Sequence, residues 1–278
     1  MGIRVVSDSS ADLFEVQGID YVTVPLQVMF GGRVYVDTAE VDTAKMMQRL
    51  STHKGPSTTS CPNTYDWLSA FEGSDEIFAA TISSGLSASY ESCTLAKNHY
   101  QQSHPEAKVH IFDSKATGPV LHLIIDHLAQ GIRDGLPYEQ IKEETIAFQK
   151  RIRILYALES LNNLANNGRV NMAVAKIAGV LGIRVIGHAS DEGKVDILHK
   201  ARGQKRALAT IVHEMSERGF TGGKAIIDHC LNAEGAKRLA DLILEHFPTA
   251  SVSIVPCGVL CSYYADMGGL ILGYEVAE

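Results

Sequence analysis

Hydroxyl-bearing side chains are concentrated in a few short segments of this sequence. Ser83-Ser84-Gly85-Leu86-Ser87 follows a strand-like run, and the polar segment 57–63 comes directly before a helical pattern. Hydroxyls next to the unpaired backbone N–H groups of a helix amino terminus bind carboxylate or phosphate. Such a site needs no full counter-charge, because the helix dipole and a few charge-assisted hydrogen bonds hold the anion. The candidate anion ligands are Thr59, Ser60, Ser83, Ser84 and Ser87.

Helix capping is the competing interpretation of the same residues, since Ser, Thr, Asp and Asn are the favoured N-cap residues. Two further hydroxyl-rich segments, 7–10 and 113–115, also end strand-like runs. The carboxyl ends of the strands in an open α/β sheet form its ligand crevice, so these segments are expected to converge there. Four such segments on one rim are more than capping requires, which favours a binding site.

Sequence motifs of the common catalytic sites are absent. The chain has no Gly-x-x-x-x-Gly-Lys-[Ser/Thr] loop, no Gly-x-Gly-x-x-Gly turn after its first strand and no His-Glu-x-x-His helix. The segment around Ser87 lacks the second glycine of a serine hydrolase elbow, and no histidine base is fixed by spacing. Cys257 and Cys261 have no second ligand pair. We therefore expect no catalytic residue, metal or cofactor, and keep a hydrolase or transferase with Ser87 as nucleophile as the enzyme alternative.

Composition and charge exclude several classes of partner. The net charge is −7 over 278 residues and the basic runs are short, so nucleic-acid binding is not expected. No apolar stretch reaches the ~20 residues of a membrane helix, and the amino terminus carries no signal-peptide pattern. Five cysteines without framework spacing are typical of a reducing compartment. These features predict a cytoplasmic protein without stable membrane insertion.

Short β-rich runs alternate with longer helical patterns, which is typical of α/β architecture. Up to residue 150, strands are predicted at 4–7, 21–24, 77–82 and 109–112, and helices at 43–50, 63–71, 88–100, 118–131 and 137–150. Beyond it, strands are predicted at 154–158, 184–189, 195–200, 224–228 and 251–255, and helices at 161–167, 173–181, 205–218 and 233–247. The chain length and the punctuation before residue 150 predict two domains, 1–150 and 151–278.

At the hydroxyl-rich loops the sequence resembles the DegV family, and the resemblance runs along the whole chain. Each motif is weak alone, but their order and spacing are specific. In chain order the motifs are Val6-Ser7-Asp8-Ser9-Ser10-Ala11-Asp12-Leu13, Val24-Pro25-Leu26 with Asp37, Thr59-Ser60-Cys61-Pro62, Thr81-Ile82-Ser83-Ser84-Gly85-Leu86-Ser87-x-x-Tyr90, Asp113-Ser114, Gly168-Arg169 and Ala201-Arg202.

The resemblance implies a two-lobed α/β fold, with a three-layer parallel-sheet lobe at the N-terminus and a two-layer mixed-sheet lobe at the C-terminus. It implies that one long-chain fatty acid lies between the lobes, with its carboxylate held by Thr59 and Ser87 and with the apolar helix 173–181 as one wall of the acyl tunnel. A lipid carrier without catalysis is the first expectation. A carrier that presents its acid to a separate ATP-dependent fatty acid kinase subunit is the second. The ligand-binding residues implied are Thr59, Ser60, Ser84, Gly85, Ser87, Arg169, Arg202 and Tyr264.

The sequence departs from the family pattern at four positions. Cys61 stands where the family usually has Gln, Ala88 where it has Gly, and Asn167 where it has the first residue of Gly-Gly-Arg. Tyr264 replaces the histidine of a carboxy-terminal His-x-Gly-x-Gly loop. A phenol with a pKa of ~10 is neutral where imidazole can be cationic. This last change therefore bears on the kinase-partner role more than on lipid binding.

Overall fold

The structure is a computed structural model that describes residues 2–173, 175 and 182–277. Its N-terminal part contains a parallel sheet, three of whose strands end at or just before the predicted hydroxyl-rich segments 7–10, 83–87 and 113–115. Four strands form this sheet: β1 (Arg4–Asp8), β2 (Asp20–Val24), β6 (Glu76–Thr81) and β7 (Lys108–Asp113). They lie in the order β2-β1-β6-β7, and all pairings are parallel.

Helices cover both faces of this parallel sheet. Val6, Ile77 and Ala79 pack with the aromatic side chains of α2 (Thr64–Phe71) and α3 (Ser89–Ser103) on one face. The alternate residues, among them Val5 and Phe78, face α4 (Pro119–Arg133). A strand buried on both faces is a nearly continuous apolar run, which is why the sequence predicted these strands within two residues. The three-layer parallel arrangement is confirmed.

A small antiparallel sheet precedes α2 and was not predicted. It consists of β3 (Gln27–Phe30), β4 (Arg33–Val36) and β5 (Ser57–Ser60), in the order β4-β3-β5. The prediction of a polar loop at 57–63 is therefore wrong for its first four residues, because Thr59 lies on a strand paired with Val28. The strand is held by backbone pairing to β3 and has no apolar alternation of its own.

A six-stranded mixed sheet forms the C-terminal part. Its strands are β8 (Ile152–Leu158), β9 (Ile183–Ala189), β10 (Val195–Arg202), β11 (Lys224–His229), β12 (Ser251–Pro256) and β13 (Leu270–Glu275), in the order β10-β9-β8-β13-β11-β12. Helices α7 (Gln204–Glu217) and α8 (Ala233–His246) cover one face. Strand β13, which was not predicted, pairs with β8 and β11 in the middle of the sheet. The mixed C-terminal sheet is confirmed.

Helix α4 packs on both large sheets. It contacts β1 and β6 of the parallel sheet and β8, β11 and β13 of the mixed sheet. Where it meets β13, a Cβ on Gly273 would lie 2.8 Å from the carbonyl carbon of Pro119, so the helix and the strand approach closely. The last strand of the parallel sheet, β7, ends at residue 113, and the first strand of the mixed sheet, β8, begins at residue 152. The division into domains 1–150 and 151–278 stays a prediction.

Further α-helices are α1 (Thr43–Thr52), α5 (Tyr138–Gln149), α6 (Asn162–Asn166) and α9 (Val259–Ala265). None of the described helices is long and apolar enough to cross a membrane. The helix predicted at 173–181 falls outside the described residues except at Ala173 and Ala175.

Candidate functional site

A cavity of about 320 Å³ lies between the parallel sheet, β5, α9 and the face of β8 that is opposite α7. Its described wall combines hydroxyls and one guanidinium with a larger number of apolar side chains. The polar wall residues are Thr59, Ser60, Ser87, Thr117, Arg169 and Tyr264. The apolar residues include Leu26, Ile82, Leu86, Ile154, Tyr156, Leu158, Leu164, Val195, Leu260 and Ile271. Such a lining suits an amphipathic molecule with one polar end.

Thr59 and Tyr264 meet at the polar part of the cavity. The Thr59 Oγ1 and Tyr264 Oη atoms are 2.8 Å apart and share a hydrogen bond. Tyr264 lies in the last turn of α9, so a strand of the small sheet and a helix near the C-terminus converge here. Burial raises the pKa of Tyr264, although the Thr59 hydrogen bond and the Arg169 charge oppose that shift. The phenol is therefore neutral near pH 7 and offers a hydrogen bond, not a charge.

Arg169 brings the positive charge of the described cavity wall. Its Nε donates to the Leu86 carbonyl at 3.0 Å, and its Nη1 donates to the Asn167 carbonyl. Both partners are neutral carbonyls, and no Asp, Glu, Lys or His lines the described part of the cavity. An anionic group is the ligand feature that would complement this wall.

Ser87 follows β6 on a loop that is tied down from several sides. Buried Asp8 accepts from the Ile82 backbone N–H at 2.9 Å and from the Ser89 hydroxyl at 2.6 Å. Ser83 donates to the Gly193 carbonyl at 2.8 Å. The Ser87 Oγ accepts from the Ser89 N–H at 3.2 Å, so its own proton is left to donate. The hydrogen bond to the start of α3 and ligand binding are thus compatible at Ser87, since each uses a different part of the hydroxyl.

Ser60 also lines the cavity, but its hydroxyl is used differently. Its Oγ donates to the Cys61 carbonyl at 3.2 Å, which occupies the proton that an anion would need. Cys61 itself is half-buried with a free thiol, and Cys261 is a second free thiol in the cavity wall. Within the described residues, no three His, Cys, Asp or Glu side chains are grouped to hold a metal ion.

Three of the residues implied as ligands do not line the cavity in the described structure. Ser84 is exposed and donates to Asp113 at 2.5 Å. Gly85 lies against the backbone of Glu192 and Gly193, where a Cβ would clash, so it serves the contact with the β9–β10 turn. Arg202 is exposed at the end of the edge strand β10.

Buried carboxylates that hold α9 were missed as functional residues. Asp37 accepts from the Val259 N–H at 2.7 Å, the Leu260 N–H at 3.1 Å and the Ser9 hydroxyl at 2.9 Å. Asp37 therefore caps the amino terminus of α9, the helix that carries Tyr264. The resemblance included Asp37 without a role. Its partners in α9 are more than 200 positions away in sequence, so no local pattern could reveal them.

Asp12 adds a second link to the same helix terminus. Its Oδ1 accepts from the Gly258 N–H at 2.9 Å. Burial and repulsion between Asp12 and Asp37 raise the pKa of Asp12, and burial and repulsion from Asp12 raise the pKa of Asp228. Burial is also the largest cause that raises the pKa of Asp37, from 3.8 to about 6. These carboxyls thus hold protons to a higher pH than exposed ones do.

Comparison with known proteins gives a consistent result along the whole chain. A family model described as "Uncharacterised protein, DegV family" matches residues 2–274. A DegV domain-containing protein of Streptococcus gordonii is 35% identical over 277 residues, which cover 98% of this chain and 99% of that protein.

Two solved structures are similar to the chain in both sequence and fold. A DegV family protein from Eubacterium eligens, loaded with heptadecanoic acid, has 40% identity and a TM-score of 0.97 over 99% of this chain and 100% of that one. The Streptococcus pneumoniae fatty acid kinase (Fak) B3 protein, loaded with linoleic acid, has 35% identity and a TM-score of 0.97 over 100% of both chains.

The elevated pKa of Asp37 predicts a specific pH dependence of stability. Between its unfolded pKa of 3.8 and its folded pKa of about 6, the folded state binds the extra proton. The stabilisation by Asp37 is therefore complete below pH ~4 and is lost as the pH rises through ~6. At ~1.4 kcal/mol per pKa unit, the difference in unfolding free energy between the unmodified protein and D37N should fall by about 2 kcal/mol from pH 4 to pH 7.

Denaturant unfolding of both proteins at several pH values measures this difference. D42N is the matched control, since Asp42 accepts from the Lys45 N–H at the exposed start of α1. A difference for D37N that increases with pH would show that the helix hydrogen bonds outweigh burial, and would contradict the prediction.

Proposed function

The chain belongs to the DegV family, and we propose that it binds one long-chain fatty acid in the cavity of about 320 Å³. The observation that carries this proposal is a mostly apolar described wall that also carries hydroxyls and a single guanidinium. The fatty acids in the two similar solved structures support the same ligand class. The protein would then act as a lipid carrier.

The carboxylate of the bound acid lies at the polar part of the cavity in this proposal. Ser87 has a free hydroxyl proton to donate. In the Thr59–Tyr264 pair, one hydroxyl proton forms the mutual hydrogen bond and the other remains to donate to a ligand. Arg169 supplies the charge. Thr59 comes from β5, Ser87 from the loop after β6, Arg169 from the segment after α6, and Tyr264 from α9. The site therefore forms only when both parts of the chain are folded together.

The acyl chain contributes more to affinity than the carboxylate does. Each buried CH₂ group contributes about 0.8 kcal/mol, whereas one hydrogen bond to a charged group contributes about 1.5–3 kcal/mol. A chain of a dozen or more methylenes therefore dominates the gross binding energy. The polar residues fix the orientation of the acid and the position of its carboxylate.

Removal of single hydroxyls should weaken binding without unfolding the protein. We expect S87A and T59V each to raise the fatty acid Kd by about 10- to 100-fold, because each removes one hydrogen bond to a charged group. S84A is the matched control, since Ser84 lies in the same loop but bonds to Asp113. Displacement of a fluorescent fatty acid from delipidated protein measures the Kd. If S87A lowered the melting temperature but left the Kd unchanged, Ser87 would be only a helix-capping residue.

A second candidate function is the presentation of the bound acid to a separate ATP-dependent fatty acid kinase subunit. The similarity to the Fak B3 protein along the full chain favours it. Arg202, exposed at a sheet edge, is available to a docking partner. Tyr264 is the residue that bears on this role, because a neutral phenol stands where the family has a histidine.

We expect a fatty acid kinase subunit to form acyl phosphate slowly from the unmodified protein and faster from Y264H. A protonated imidazole would stabilise the charge that develops at the carboxylate during transfer, which the phenol cannot do. The rate of acyl phosphate formation, measured with both proteins loaded with the same acid, tests this expectation. R202A should load lipid normally. Equal turnover of the two proteins would show that Tyr264 is no obstacle.

A further inference from the structure

A second, wider crevice of about 560 Å³ adjoins the cavity. It lies between the segment after β7, the connection from α5 to β8, and the turn between β9 and β10. Its described wall carries five basic side chains and one acidic side chain: Lys115, Lys150, Arg153, His188, Arg218 and Asp191. The crevice is thus polar and cationic, unlike the apolar part of the cavity.

Ile154 is the one described residue that lines both spaces. Alternate residues of a strand point to the same face, and this face of β8 carries Ile152, Ile154, Tyr156 and Leu158. Tyr156 and Leu158 line only the cavity, and Ile152 lines only the crevice. The two spaces therefore follow each other along one strand, with the Ile154 side chain between them.

The neighbouring wall of the cavity is fixed more firmly than Ile154 is. The Tyr156 hydroxyl donates to the Asp196 carbonyl at 2.6 Å, which holds the ring against the β9–β10 hairpin. Gly187 lies directly beside that hydroxyl, where a Cβ would clash. Ile154 has no such anchor. Its side chain is only 9% exposed and separates the apolar cavity from the crevice by packing alone.

The charges of the crevice make it a poor place for a methyl end. Lys150 and Arg153 make no ion pair with a described residue, and the Arg153 guanidinium donates to the carbonyls of Lys150 and Ile152 at 2.6 and 2.9 Å. These cations keep water in the crevice, because an unpaired charge is costly to desolvate. An acyl chain that passed Ile154 would gain little burial there.

We propose that Ile154 sets the longest acyl chain that this protein holds, by closing the cavity against the cationic crevice. The proposal rests on fatty acid binding as the function of the cavity. Ile154 lies four residues from Leu158, about 13 Å along β8 at ~3.3 Å per residue. A chain that fills this stretch ends against the Ile154 side chain, and a longer acid must displace it.

A ladder of saturated fatty acids from 12 to 24 carbons, tested by displacement on delipidated full-length protein, measures the preferred length. We expect affinity to rise with length to an optimum and then to fall. I154A should move the optimum upward by two or more carbons. I154V removes only one methylene and is the safer variant for folding. It should bind acids longer than the optimum at least threefold more tightly than the unmodified protein does. I152A is the matched control, because Ile152 faces only the crevice, and its optimum should not move.

Long α,ω-dicarboxylic acids test whether the crevice lies beyond Ile154. The unmodified protein should bind them at least tenfold more weakly than the monocarboxylic acids of equal length, since the second carboxylate would meet apolar wall. In I154A that ratio should shrink, because the second carboxylate reaches Lys150 and Arg153. An unchanged ratio in I154A would overturn the proposal even if longer chains fitted.

The outcomes separate this proposal from the function on which it rests. If the unmodified protein bound no fatty acid of any length, the proposed function itself would fail. If it bound them but both Ile154 variants kept the optimum and affinities of the unmodified protein, only the role of Ile154 would be wrong.

Discussion

The contact between the Asp37 carboxylate and the amino terminus of α9 determines how the two parts of the chain meet. Asp37 follows β4, and α9 belongs to the C-terminal part, yet two backbone N–H groups of α9 donate to the buried Asp37 carboxyl at 2.7 and 3.1 Å. The Ser9 hydroxyl donates to the same carboxyl at 2.9 Å. Asp12 accepts from Gly258 beside it. Because α9 carries Tyr264, and Tyr264 bonds to Thr59 on the small sheet, the polar part of the cavity depends on this contact.

Buried carboxyls are an expensive way to hold a helix, since burial disfavours their charged form. At Asp37 and Asp8 the structure offsets that cost with several donors to each carboxyl. Asp8 accepts from Ser10, Ile82 and Ser89, and so connects the end of β1 to the loop that carries Ser87. The same type of interaction therefore positions both walls of the polar site. Apolar packing on α4, which lies between the two large sheets, completes the enclosure.

Sequence patterns predicted the parts of this fold that are locally encoded. The strands of the parallel sheet are apolar runs, and every one was located within two residues. Strand β5 has the sequence Ser-Thr-Thr-Ser and no apolar alternation, so only its pairing with β3 makes it a strand. The β3–β4 hairpin does have a local signal, because Gly31-Gly32, both with positive φ, is a typical two-residue hairpin turn.

For the candidate site, hydroxyl chemistry and the family resemblance together led to Thr59, Ser60, Ser87, Arg169 and Tyr264, which all lie in the cavity wall. The family motifs also implied Ser84, Gly85 and Arg202, which lie outside the described cavity wall. Asp37 acts through hydrogen bonds to α9, which is distant in sequence. Ile154 lies between two spaces whose walls come from distant segments of the chain. Their roles depend on three-dimensional packing, which no local spacing records.

The most direct test of the account is mass spectrometry of an organic extract from the full-length protein purified after expression in bacteria. An apolar cavity left empty would forgo the burial of a long chain, so the account predicts about one long-chain fatty acid per protein molecule. Protein that yields no acyl chain, and that also fails to take one up when fatty acid is added, would contradict it.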